Sequence, residues 1–196
     1  MSKYSRWAFA LALLPLAACN SNPSMQQSST VPTPQTQPSV SAQDQKFIDQ
    51  AVTSDIFEIK SSQLALEKSR NPRTRMYAQQ MIDDHGASEQ KLQQLASANG
   101  IQVPSDFGPE GQRAYAAIEN TRRIFDSEYF RQQALSHQTA VTVYQDEISN
   151  GYNNDVKQFA QQTLPTIQEH LQEAESGRNM PMGRTPARRS FPPASR

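Results

Sequence analysis

NPRTRMYAQQMIDDHGASEQKLQQLASANG, residues 71–100, decides the fold class. Asn71 followed by Pro72 is a helix start: the amide side chain offers an acceptor to free backbone N–H groups, and proline at the first helical position loses nothing by lacking its own. Asn99-Gly100 is the matching stop, because glycine accepts the left-handed backbone that closes a helix. Between them Tyr77, Met81, His85, Ser88, Leu92 and Leu95 recur at helical spacing and place one stripe inward. No alternating strand pattern competes. A lone amphipathic helix has nothing to bury that stripe against, so the stretch also predicts partner helices.

The partners lie on both sides. Upstream, residues 44–69 carry Ile48, Val52, Ile59 and Leu66 on one side of a first helix. Downstream comes a connection of about 12 residues containing Pro104, Gly108, Pro109 and Gly111, longer than antiparallel neighbours need, which predicts a crossover from one end of a bundle to the other. A long third helix is expected from about residue 112 to 149, with Phe125, Tyr129, Phe130, Ala134, His137, Val141, Tyr144 and Ile148 inward and a break or bend before Phe125. Asn150-Gly151 ends it, and Asn154 or Asp155 starts a fourth carrying Val156, Phe159, Ala160, Thr163, Ile167, Leu171 and Ala174. Pro165 within that helix withholds a donor from the Gln161 carbonyl, and a kink is expected there. The fold class is therefore all-α: a four-helix bundle over residues 44–176 with a crossover between helices 2 and 3.

The ends of the chain concern location. Lys3 and Arg6 precede the apolar run Trp7–Leu16, and Leu16-Ala17-Ala18-Cys19 follows at once, so residues 1–18 read as a signal peptide too short to span a membrane. The last four residues resemble the bacterial lipoprotein box, which implies cleavage before Cys19 and lipidation of its thiol. Several acyl chains then make a stable membrane anchor. Asn20, rather than Asp, follows the cysteine, which under the sorting rule of enteric bacteria favours the outer membrane, facing the periplasm. Residues 19–43 hold four Pro, no charge and much Ser, Thr and Gln, the composition of a disordered tether. Residues 177–196 have five Arg, four Pro and no acid. This tail is suited to an anionic surface or an acidic protein face, and an envelope location argues against nucleic acid.

Zero net charge conceals this partition. All 19 acidic residues lie between Asp44 and Glu175 and face twelve Lys and Arg, so the bundle carries about −7. The single Cys excludes disulfides, cysteine-rich zinc sites, iron–sulfur clusters and a cysteine nucleophile within the bundle. There is also no Gly-rich phosphate loop and no Ser-His-Asp order at diagnostic spacing.

Several motifs along the bundle match one family. Ala51 to Lys68 with Glu58, Leu64 and Ala65; Tyr77-Ala78 with Met81-x-x-Asp84-His85; Phe125-Asp126-x-x-Tyr129 with His137; and Phe159-Ala160-x-x-Thr163-Leu164-Pro165 with His170-Leu171 occur in that order. The chain resembles a ferritin-like bacterial family of exported proteins of unknown function, catalogued as putative outer membrane proteins. The resemblance implies the fold and an envelope location, and attaches no reaction. It departs at Ser136, where the family commonly places Asp before the third-helix histidine.

All three histidines fall at or beside inward positions of different helices: His85 on the second, His137 on the third, His170 on the fourth. A di-iron carboxylate bundle would add a Glu three residues before two of them. Ile82 and Ile167 stand there instead. Glu58 can serve as a first-helix carboxylate, Asp126 or Glu128 only as a poor third-helix one, and Glu89 and Glu173 lie a turn past their histidines. Two readings follow, beside a third in which the histidines form a buried cluster that senses pH. In one, each histidine packs at the core edge against an acid such as Asp84 or Glu169, and the protein is a membrane-anchored envelope lipoprotein with a non-catalytic binding or structural role. In the other, Glu58, His85, His137 and His170 form a metal-binding or oxidase-like site suited to iron, zinc or copper.

Overall fold

The computed structural model describes residues 39–121 and 124–178. Among them the chain forms five helices and no strand: α1 (Ala42–Lys68), α2 (Pro72–Ala98), α3 (Gly108–Glu119), α4 (Phe125–Asn150) and α5 (Asn154–Arg178). None of these helices is long and apolar enough to cross a membrane. The signal peptide, Cys19, most of the tether and nearly all of the Arg-rich tail lie outside the described residues. The tether's last residues belong to the fold. Val40 packs against the core and Ser41 caps α1, accepting the Asp44 N–H while Asp44 accepts the Ser41 N–H, a reciprocal pair that satisfies two otherwise free donors.

Asp44 does more than cap its own helix. Its second carboxylate oxygen accepts the backbone N–H groups of Tyr152 and Asn153, at 2.8 and 3.0 Å, and so ties the start of α1 to the α4–α5 turn. Asn153, one residue before the expected start, is the true cap of α5, its side chain accepting from Asp155 and Val156. Asn71 caps α2 as read, with Pro72 at the first position. Gly100 closes α2 with φ 68°, and the Ile101 N–H reaches back to the Ala96 carbonyl. Gly151 has φ −62° instead of a left-handed backbone. Glycine is needed there for space, since a Cβ would sit 2.1 Å from the Glu147 carboxylate folded over it.

Short turns make α1–α2 and α4–α5 antiparallel pairs. Gln43 meets Asp146 while Ser62 meets Tyr129, so α4 runs opposite to α1; Arg73 meets Ser176 while Asp84 meets His170, so α5 runs opposite to α2. Consequently α2 and α4 run the same way, and the link between them must travel the length of the bundle. The expected crossover is present. It contains α3, which packs on α1 and α4 and buries Ile118. The single third helix expected over 112–149 is thus two helices. α3 rises alongside α1 and α4 descends, so the chain has to reverse before Phe125.

The core is divided. One apolar cluster joins Phe47, Val52, Leu92, Tyr144, Val156 and Phe159; the other joins Phe57, Tyr77, Met81, Ile118, Tyr129 and Phe130. Between them lies a buried polar layer of Asp55, Glu58, Ser61, Ser62, His85, Gln133, His137 and His170. Ile59 and Leu66, expected inward on α1, are only half-buried, because the inward face at that level belongs to Asp55, Glu58 and Ser62. A polar layer in a bundle core opposes stability unless its groups find partners.

Candidate metal centre

Each helix of the four-helix core contributes to the polar layer. α1 supplies Asp55 and Glu58 one turn apart, α2 supplies Asp84 and His85, α4 supplies Gln133 and His137 one turn apart, and α5 supplies His170. The three imidazole rings form a near-equilateral triangle, with every pair of ring centroids 5.4 Å apart. All three rings are buried.

Outer partners set the orientation of the rings. His85 donates from Nδ1 to Asp55 at 2.7 Å, His137 donates from Nδ1 to the Gln133 carbonyl at 2.9 Å, and His170 donates from Nε2 to Asp84 at 2.9 Å. These acceptors assign the tautomers. What they leave is Nε2 of His85, Nε2 of His137 and Nδ1 of His170. The two Nε2 atoms share a hydrogen bond at 3.4 Å, and His170 Nδ1 has no hydrogen-bond partner among the described residues. One nitrogen from each ring lies within 4.8 Å of one from each of the others. Bonds of 2.0–2.1 Å from a tetrahedral or trigonal ion separate its nitrogen ligands by about 3.3–3.6 Å, which the 3.4 Å between His85 and His137 already matches. A ligating histidine typically donates its remaining N–H to a carboxylate or carbonyl, as all three do here. These three buried histidines can hold a metal ion.

Electrostatics favours the ligating state of two rings. Burial holds His137 down to about 4, outweighing the pull of the nearby Glu58 charge, and holds His170 down to about 4 as well, with the neighbouring His85 charge adding to the effect. Both are neutral near pH 7. Burial also opposes charge on His85, yet the bond and charge of Asp55 outweigh it and move that ring up from the ordinary histidine value. Burial pushes the Asp55 carboxyl up. Proton loss from the Asp55–His85 couple is thereby delayed.

Among the residues read as candidates, His85, His137 and His170 are brought together and Glu58 is not part of their convergence. Its Oε1 lies 3.7 Å from His137 Nδ1, the nitrogen already committed to Gln133. Asp126 bonds Ser69 and Glu128 pairs with Arg131, both away from the rings. Glu89 accepts from Gln93, and Glu173 faces water. Asp84 is the neighbouring acid of His170, as one reading expected, while Glu169 is exposed. Asp55 stands as a polar residue in the inward register of α1, and Gln133 gives no sequence signal because its backbone carbonyl does the work. A groove of about 360 Å³ beneath α3, lined by Phe57, Phe107, Leu135 and Tyr144 among others, includes none of the three rings.

A family model described as a domain of unknown function (DUF4142) matches residues 29–176. The chain belongs to the DUF4142 family. No curated protein matches this DUF4142 chain by sequence. Two solved structures share its helical-bundle fold. A DUF305 fragment from Deinococcus radiodurans is 15% identical with a TM-score of 0.63, covering 70% of this chain and 95% of its own. CopM in the Cu(II)-bound form is 18% identical with a TM-score of 0.60, covering 69% and 95%.

Proposed function

We propose that this DUF4142 protein is a lipid-anchored envelope protein whose bundle binds one transition-metal ion, copper foremost, at His85, His137 and His170. The observation that carries the reading is the arrangement of the rings: each has one nitrogen fixed by an outer acceptor and the other left for a common centre. Packing alone gives no reason for three separate helices to turn their remaining nitrogens, the Nε2 atoms of His85 and His137 in hydrogen-bond contact and His170 Nδ1 without a partner among the described residues, toward one another. Imidazole donors suit copper, zinc, iron and nickel, and the likeness to CopM, whose structure is of a Cu(II)-bound form, supports copper among them. The role is binding and not turnover, since the rings are enclosed by the bundle and the groove beneath α3 does not include them. Anchoring rests on the Leu16-Ala17-Ala18-Cys19 box, and the single crossover suits a ferritin-like bundle.

The test is metal content by mass spectrometry on untagged full-length protein after challenge with copper, zinc and iron, beside a variant with all three histidines changed to Ala. Near-stoichiometric metal that vanishes in a variant of unchanged helicity is expected. Equal metal in both, or none in either, would refute the site. For the anchor, Cys19→Ser is expected to release the protein from the membrane fraction.

A further inference from the structure

From the buried charges around the centre we infer that it is built for a divalent ion and that Glu58 sets this preference. The inference rests on the three-histidine centre being a metal site. Three imidazoles are neutral donors, so the bound ion keeps its full charge and the surrounding protein has to balance it. Behind the rings stand three carboxyls, one for each histidine: Asp55 behind His85, Glu58 behind His137 and Asp84 behind His170. Asp84 has a side chain 43% exposed, and water screens it. Asp55 and Glu58 are fully buried. As carboxylates, these two match a doubly charged ion and leave a monovalent one with an uncompensated negative charge in the core.

Asp55 has a second role, because its short hydrogen bond orients His85. Glu58 has none of that kind. Neither of its oxygens meets a hydrogen-bond partner among the described residues, and the His137 N–H beside it is already given to Gln133. The two flanking phenols feel its charge but bond elsewhere, Tyr77 to the His170 carbonyl and Tyr129 to Ser62. A glutamine or an apolar side chain of similar volume would be cheaper to bury at this position. What a carboxyl contributes here that those cannot is negative charge, one imidazole's width from the centre, in an interior where charge is weakly screened.

The experiment measures Cu(II), Zn(II) and Cu(I) affinities of the full-length protein by competition with chromophoric chelators, together with the Cu(II)/Cu(I) potential. Glu58→Gln is expected to weaken Cu(II) and Zn(II) at least tenfold and to leave Cu(I) within about threefold. A tenfold loss for Cu(II) alone raises the potential by about 59 mV. Glu58→Asp keeps the charge and is expected to keep the wild-type preference for Cu(II) over Cu(I). Should the Gln variant lose its helicity, Glu58→Met is measured in the same way. An unchanged Cu(II) to Cu(I) affinity ratio in the neutral variant overturns this inference and leaves the metal site standing. Absence of binding by wild-type protein overturns both.

Discussion

Lowering the pH should weaken metal binding far less than a three-histidine site would ordinarily show. A proton competes with the metal only at a ring that carries one in the metal-free protein. His137 and His170, held near 4 by burial, carry almost none between pH 5.5 and 6.5, whereas His85, raised from its ordinary value through Asp55, is the ring left to compete. Binding in this window therefore displaces about one proton. Affinity should fall about five- to tenfold from pH 6.5 to 5.5, the range open to one ring titrating at or above the ordinary 6.5. Three rings titrating at the ordinary 6.5 would lose more than about 100-fold over the same unit. Zn(II), which undergoes no redox change, is the suitable ion. Titration calorimetry of full-length protein in two buffers of different ionisation heat at pH 6 reads the proton count directly. Release of two or more protons, or an affinity flat across the window, would refute the reasoning.

The same two rings act on stability without metal. Their folded pKa values lie below the unfolded 6.5, so their contribution is complete above pH 6.5 and is lost as pH falls toward 4; the melting temperature of metal-free protein is expected to drop across that window, and a rise would contradict the assignment. Glu147 has the opposite sign. Burial, with Asp44 beside it, raises its carboxyl from 4.5 to about 7, so its contribution is present below pH 4.5 and is lost as pH rises through 7, up to about 3 kcal/mol. Glu147→Gln should raise the melting temperature at pH 8 by several degrees and change little at pH 4.5; equal effects at both would count against it. Gly177 is buried in α5, and a Cβ there would stand 2.4 Å from the Phe130 ring, so Gly177→Ala is expected to cost about 1–3 kcal/mol in chemical denaturation. A neutral or stabilising result would show that Phe130 can move.

Much of the bundle was legible because helix signals are local. Asn71-Pro72 and Asn99-Gly100 fix a start and a stop through their own backbone chemistry, and Tyr77, Met81 and Leu92 fix a face through spacing alone. The long connection after Gly100 implied a crossover because chain length bounds how far two helix ends can be separated. The division of the third helix was legible only as a break before Phe125. Whether a helical sequence bends or reverses depends on which way its two halves run along α1, and nothing local records that direction.

The centre divides along the same line. Sequence by itself determined that three histidines sit at inward positions of three helices, that the carboxylates of a di-iron site are replaced by Ile82 and Ile167, and that no cysteine within the bundle joins them. Only the tertiary structure decided that the rings meet, that Asp55, Asp84 and the Gln133 carbonyl orient them, and that Glu58 stands behind His137 instead of beside the other donors. The physical reason is range. Helical periodicity specifies the direction of a side chain around its own axis, but the height at which one helix meets another is set by packing across the core. A hydrogen bond or a coordination bond is sensitive to that height to within a few tenths of an ångström.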